Sequence, residues 1–163
     1  MADRTDEYTW FFRTEFRSVV RTAYLVLHDV QRAEDVAQDA FTQLYVHWPK
    51  VSRYERPEAW VRRVAIRRAV KILQRDRRRA ELERVDAPIA SDPLAYDDEL
   101  ARALGELPPQ QRAAVALFYL EDRPVAEVAE IIGCSPSTAK VHLHQARKRL
   151  ATILGEEWVD DVV

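Results

Sequence analysis

A tryptophan and three cations recur at helical spacing in this chain: Trp60, Arg63, Arg67 and Lys71. At about 100° per residue they lie along one side of a helix, with Gln74 one turn further on. Guanidinium and ammonium groups neutralise phosphates, and an indole face stacks on an unpaired base. The chemistry of this line is therefore that of nucleic-acid contact. The preceding segment, Val51-Ser52-Arg53-Tyr54-Glu55-Arg56, adds two cations and a second aromatic. With Arg53 and Tyr54 beside a basic helix, such a loop could hold an everted base. The competing reading is a solvated basic face with Trp60 partly in a core. Arg68 falls on the otherwise apolar side, where it either snorkels or pairs with an acid of another helix.

A second group is acidic. Glu34, Asp35, Gln38 and Asp39 lie around the back of an apolar stripe, and Asp35 and Asp39 are one helical turn apart. Paired carboxylates can bind metal or do acid–base work. No histidine stands beside them at ligand spacing and nothing in the pattern buries them, so no metal and no catalytic role is expected. A solvated face, or a docking face for a basic partner, is the expected reading. A third group lies near the C-terminus. Ser137, Val141, His144 and Lys148 share one arc of a helix, flanked by Thr138, Lys140, Gln145 and Arg147. These side chains have the lengths and polar groups that reach base edges and phosphates, Gln145 and Lys140 bases and Arg147 and Lys148 phosphates. His142 and His144 point to nearly opposite sides of a helix and cannot share a metal.

The elements that must carry these groups all read as helices. Apolar residues recur at helical spacing and no strand alternation stands out. The spacing predicts helices over about 8–27, from Asp29 as N-cap to Pro49, from Pro57 to about Arg79, and over about 98–104, 109–120, 125–132 and 136–154. In the third of these, Val61, Val64, Ala65, Ala69 and Ile72 form the expected buried face. Val125, Val128, Ala129 and Ile132 form another, ended by Gly133 in a left-handed turn. Ser135 then suits an N-cap and Pro136 a first helical position. This is the pattern of a helix-turn-helix with 136–150 as recognition helix, although a plain helical hairpin shares the spacing.

The 163 residues carry a net charge of −2, which taken whole says nothing about nucleic acid. Residues 51–80, however, hold 11 basic and 3 acidic side chains, and residues 81–110 hold 2 and 8. The first is an electrostatic footprint for phosphate. The second, with Pro88 and Pro93 among small residues, reads as a linker. The expected fold is therefore all-α: two small helical domains, 1–80 and 98–163, joined by a flexible acidic linker over 81–97. Three glycines leave no phosphate-cradling loop, and a single cysteine, Cys134, rules out an internal disulfide or a multi-cysteine zinc site. No nucleophile–base pairing stands out, so no enzyme and no cofactor is expected. With no secretion-type N-terminus and no long apolar run, a cytoplasmic protein without membrane insertion is expected.

Taken in order, these segments resemble the extracytoplasmic-function group of bacterial RNA polymerase sigma factors. Ala33-Glu34-Asp35-Val36-Ala37-Gln38-Asp39-Ala40-Phe41 is similar to the group's polymerase-binding motif. Trp60-Val61-Arg62-Arg63-Val64-Ala65-Ile66-Arg67 is similar to its −10 promoter helix. Leu107-Pro108-Pro109-Gln110-Gln111-Arg112 resembles the opening of its second domain. Tyr119 to Pro124, Gly133-Cys134-Ser135, Thr138-Ala139-Lys140 and Ala146 to Leu150 resemble its −35-reading helix-turn-helix. Arg67 stands where many members carry asparagine, Ser137 where glycine is common and Ala139 where valine is common.

The resemblance implies a role for each group. Glu34, Asp35, Gln38 and Asp39 would dock on the clamp helices of the polymerase largest subunit. Arg53, Tyr54, Trp60, Arg63, Arg67 and Lys71 would bind the −10 element with one nontemplate base flipped out. Ser137 to Lys148 would read the −35 major groove, with the C-terminal domain at the polymerase flap. An anti-sigma factor is a further partner the group admits. The competing class is a one-component helix-turn-helix regulator with a helical sensor domain. It would need neither a second basic, aromatic face nor an acidic docking helix.

Overall fold

The computed structural model describes residues 3–83 and 98–155. Helix α1 spans Arg4–Leu27, with Asp6 and Glu7 in its first turn, where carboxylates complement the helix dipole. It ends at His28, whose φ of 53° turns the chain and whose N–H donates to Tyr24 O at 2.7 Å. Asp29 then caps α2 (Val30–Val51), its carboxylate accepting from Arg32 N at 3.1 Å. The helix was expected to close at Pro49, yet it continues for two residues. Burial of Val51 and the Ser52 N–H bond to Trp48 O hold that last turn despite the proline.

Helix α3 (Pro57–Glu83) outruns its expected end at Arg79, so Glu81, Leu82 and Glu83 belong to the helix rather than to a linker. The rest of the expected linker, 84–97, lies outside the described residues, as do residues 156–163. Helix α4 (Asp98–Gly105) and α5 (Pro109–Val115) follow. Helix α5 was expected to run to Leu120. It instead widens into a π-helical turn over Ala116–Leu120, with Glu121 N–H reaching back five residues to Ala116 O. Helices α6 (Val125–Ile132) and α7 (Pro136–Leu154) fall where the spacing put them. No strand occurs among the described residues.

The architecture is all-α, with three long helices followed by four shorter ones among the described residues. The N-terminal three pack on one another through aromatic and aliphatic contacts, with Phe41 almost wholly buried among Phe11, Phe12 and Phe16. A separate small core joins α4, α5 and α7 through Leu104, Leu107, Val115, Ala146 and Leu150. The main core does not stop at the N-terminal helices. It continues through Ala113, Ala114, Leu117, Val128, Ile131 and Ile132, so α5 and α6 are packed directly on α1 and α3.

That packing explains which α3 residues are buried. Val61, Ala65 and Ala69 are buried as expected, whereas Val64 and Ile72 are only half-buried. Ile66, Val70 and Leu73, outside the expected stripe, are buried too. One apolar stripe serves a helix with one neighbour; α3 has neighbours on two sides.

Candidate nucleic-acid interface

Along α3 the line of Trp60, Arg63, Arg67 and Lys71 faces outward. The three cations are exposed and the indole is half-buried, packed against the core and 5.7 Å from the His47 ring. Trp60 thus belongs partly to the core and partly to the surface. It lines a cleft of about 400 Å³ with Tyr54, Glu55, Arg56, Ala59, Arg63 and Glu130, within the range of small-ligand sites. Arg53 is exposed and lies outside that lining.

Further along, Arg67 and Lys71 line a groove of about 520 Å³ between α2 and α3, together with Arg68, Arg75, Asp39 and Gln43. The choice left open for Arg68 is settled by pairing: its Nη1 donates to Asp39 Oδ2 at 2.7 Å. A second tie, Arg32 to Asp76 at 2.5 Å, also joins α2 to α3.

A buried cation ties α3 to α1. Arg62 is 5% exposed, and its guanidinium donates to Glu15 Oε2 at 3.0 Å and Ser18 Oγ at 2.6 Å, both on α1. Burying a charge is tolerable only with partners of this kind. The spacing marks Arg62 as lying off the exposed line, and that is the only sign of its role in the sequence.

On α2 the acidic group is not a bare carboxylate patch. Glu34 is half-buried, Asp35 accepts from Gln31 Nε2 at 3.1 Å, Gln38 is exposed, and Asp39 is engaged by Arg68. The same side continues into Tyr45 and Val46, both largely exposed, an apolar extension that a reading by charge passes over.

The helix-turn-helix has the expected turn. Gly133 has φ 86°, and the N–H groups of Gly133 and Cys134 both donate to Ala129 O. Ser135 Oγ accepts from Thr138 N at 3.1 Å, and Pro136 opens α7. Ser137, Lys140, Val141, His144 and Lys148 are exposed on one side. Thr138 is exposed as well, but its hydroxyl accepts from Ser135 Oγ. Two members of the arc are held by neighbours. Gln145 Oε1 accepts from Gln111 Nε2 at 3.1 Å. Arg147 bends inward onto Tyr119, donating to its hydroxyl and lying 5.5 Å over its ring. Tyr119 sits in the π-helical turn, whose altered phase no periodicity reading gives. His142 is half-buried and burial lowers its pKa; burial likewise pushes the Cys134 thiol up, away from thiolate chemistry. Among the described residues no cluster of three or more His, Cys, Asp or Glu side chains could hold a metal. No described helix is long and apolar enough to cross a membrane.

A basic and aromatic line on α3 and a helix-turn-helix over α6 and α7 thus stand in one continuously packed all-α chain. The profile of Sigma-70 region 2 matches residues 11–79, and that of Sigma-70, region 4 matches residues 97–150. The chain is 33% identical over 150 residues to the ECF RNA polymerase sigma factor SigM of Mycobacterium tuberculosis, covering 88% of this chain and 75% of the relative. It is 30% identical over 149 residues to the RNA polymerase sigma-E factor of Streptomyces avermitilis, covering 88% and 83%. Its fold is that of the sigma factor RpoE solved with the anti-sigma factor NepR from Bartonella quintana. The TM-score is 0.71 at 21% identity, over 92% of this chain and 98% of that one. The chain belongs to the extracytoplasmic-function group of RNA polymerase sigma factors, DNA-binding factors of transcription initiation.

Proposed function

We propose that the chain binds core RNA polymerase and directs it to promoters by contacting a −10 and a −35 element. The observation that carries this reading is the Tyr54–Trp60–Arg63 cleft on the same helix as the exposed Arg67 and Lys71. An aromatic floor beside a run of cations suits a strand with one base turned out. The unstacking cost, a few kcal/mol, is offset by stacking and phosphate contact. Glu34, Asp35, Gln38 and Asp39 on α2 would meet cations of the clamp helices of the largest subunit. The exposed face of α7 would enter the −35 major groove through its N-terminal residues, near the flap. Residues 84–97 would pass along the polymerase. The polymerase does the chemistry, and this chain supplies recognition. The anti-sigma factor bound to the Bartonella relative makes a comparable inhibitor a partner to seek here.

The test is promoter-specific initiation in a mixture of purified chain, core polymerase and a promoter library. Initiation that appears only with the chain supports the reading. Tight duplex binding by the free chain with no effect on core polymerase favours the one-component regulator instead. Asp39→Arg should weaken binding to core while leaving the helix-turn-helix folded. Unchanged core affinity would remove α2 as the docking face.

A further inference from the structure

Trp10 on α1 belongs neither to the DNA faces nor to the acidic face of α2. It is 69% exposed and makes no ring contact with another aromatic among the described residues. An indole left in water forgoes a large apolar burial. Trp10 nevertheless lines a groove of about 410 Å³, together with Phe11, Trp48, Asp6 and Glu7.

Packing builds the inner wall of this groove. Phe11 and Trp48 are buried with ring centroids 5.3 Å apart, and Tyr8 meets Trp48 edge-on at 5.7 Å. The Trp48 indole N–H is buried without a hydrogen-bond acceptor. A buried donor left unpaired is costly, so what Trp48 contributes here is its face and bulk rather than a hydrogen bond. Asp6 and Glu7 stand in the first turn of α1, are exposed, and have no ion-pair partner among the described residues. Three aromatic rings and two carboxylates thus meet in one groove whose lining holds no cation.

We infer that this groove binds a free organic cation of the quaternary ammonium class, held by the rings of Trp10 and Trp48 and by the carboxylates of Asp6 and Glu7. The carboxylates repel an anion. The aromatic walls carry no group to pair the amides of a peptide, whose burial would then be costly. A primary ammonium is strongly hydrated, and its three N–H donors would need more acceptors than the walls supply. A quaternary ammonium has no N–H to satisfy and spreads its charge over methyl groups. Indole faces attract such a cation, and apolar walls receive its methyls. The volume is that of a small-ligand site. None of the five lining residues is among those assigned to DNA or to polymerase, so the inference stands independently of the promoter reading.

The test titrates the isotopically labelled full-length chain with choline and with dimethylbutanol, its uncharged isostere, following the indole N–H signals by NMR. Choline should shift the Trp10 and Trp48 signals saturably and bind about fivefold more tightly than the isostere. Trp10→Ala should weaken choline binding about tenfold and Trp10→Phe less, because a phenyl face attracts a cation less than an indole. Asp6→Asn/Glu7→Gln should weaken choline binding about fivefold and leave the isostere unchanged. A control, Glu106→Gln/Asp122→Asn, removes the same charge elsewhere and should change choline affinity by no more than about twofold. Equal affinity for the two ligands, a loss in the control as large as in Asp6→Asn/Glu7→Gln, or no saturable shift at Trp10 would overturn the inference. Capture of the chain by phosphatidylcholine vesicles with no shift from free choline would overturn it too, and would make the groove a membrane contact. The comparison of the two ligands is made on the unmodified chain, so it holds whether or not a variant folds.

Discussion

The guanidinium of Arg112 on α5 donates to the carbonyl oxygen of Val26 at the end of α1, at 3.1 Å. Its other arm donates to Gly105 O, the last residue of α4, at 2.7 Å. Both acceptors are carbonyls that a helix leaves unpaired at its C-terminus, where the dipole favours a cation. Burial, and then the charge of Arg77, lower the Arg112 pKa to about 10, so it stays charged at neutral pH. One side chain thus ties α1, α4 and α5 together across the two halves of the molecule.

Arg112→Ala should lower stability by about 3 kcal/mol, because two charge-assisted bonds are lost and the Val26 carbonyl is left buried without a partner. Arg112→Lys should recover only part, since one ammonium lacks the fork that spans two acceptors. Urea unfolding followed by circular dichroism measures both, and an unchanged midpoint for Arg112→Ala would show the link to be idle.

Stability should fall as pH drops from about 6.5 to about 4, through His28. Burial, and then the Arg112 charge, lower its pKa to about 4 in the folded chain. The unfolded chain takes up a proton near 6.5, so between these values the unfolded state binds more protons and is favoured. Above that window the effect vanishes, and below it the loss levels off at on the order of 3 kcal/mol. His28→Asn, which tolerates the left-handed backbone at this position, should flatten the difference curve. A variant whose stability fell with pH as steeply as the unmodified chain would assign the effect elsewhere.

Gly133→Ala should cost about 1–2 kcal/mol, the penalty of a Cβ in the left-handed region. The Arg67 guanidinium must also give way, a small cost because it is the far end of a flexible side chain. Asn at the same position should cost less. Thermal unfolding decides it; equal melting of all three proteins would show that the turn relaxes freely.

Gln145→Ala should relax base preference at one −35 position by about 1–3 kcal/mol. Arg147→Ala should instead reduce stability, because Arg147 is held on Tyr119. Initiation from a promoter library separates the two. A specificity change with Arg147→Ala and none with Gln145→Ala would exchange their roles.

Much of this could be read along the chain. The helix-turn-helix was legible because its marks are local: Gly133 for a left-handed turn, Ser135 as a cap, Pro136 at the first position, and apolar residues three and four apart. The charged lines were legible for the same reason, since helical spacing alone decides that Arg63, Arg67 and Lys71 share a side. What only the tertiary structure decided depends on partners distant in sequence. Arg68 and Asp39 are 29 residues apart, Arg62 and Glu15 are 47, and Arg112 and Val26 are 86. A helical period shows which residues share a face, but not how many faces are covered. The second buried side of α3 and the Glu130 carboxylate of α6 at the Tyr54–Trp60 cleft follow from how the two halves pack. The near-neutral total charge expresses the same division: its basic and acidic stretches are set by sequence, whereas the pairing of Arg56 in the basic stretch with Glu130 on α6 is set by the fold.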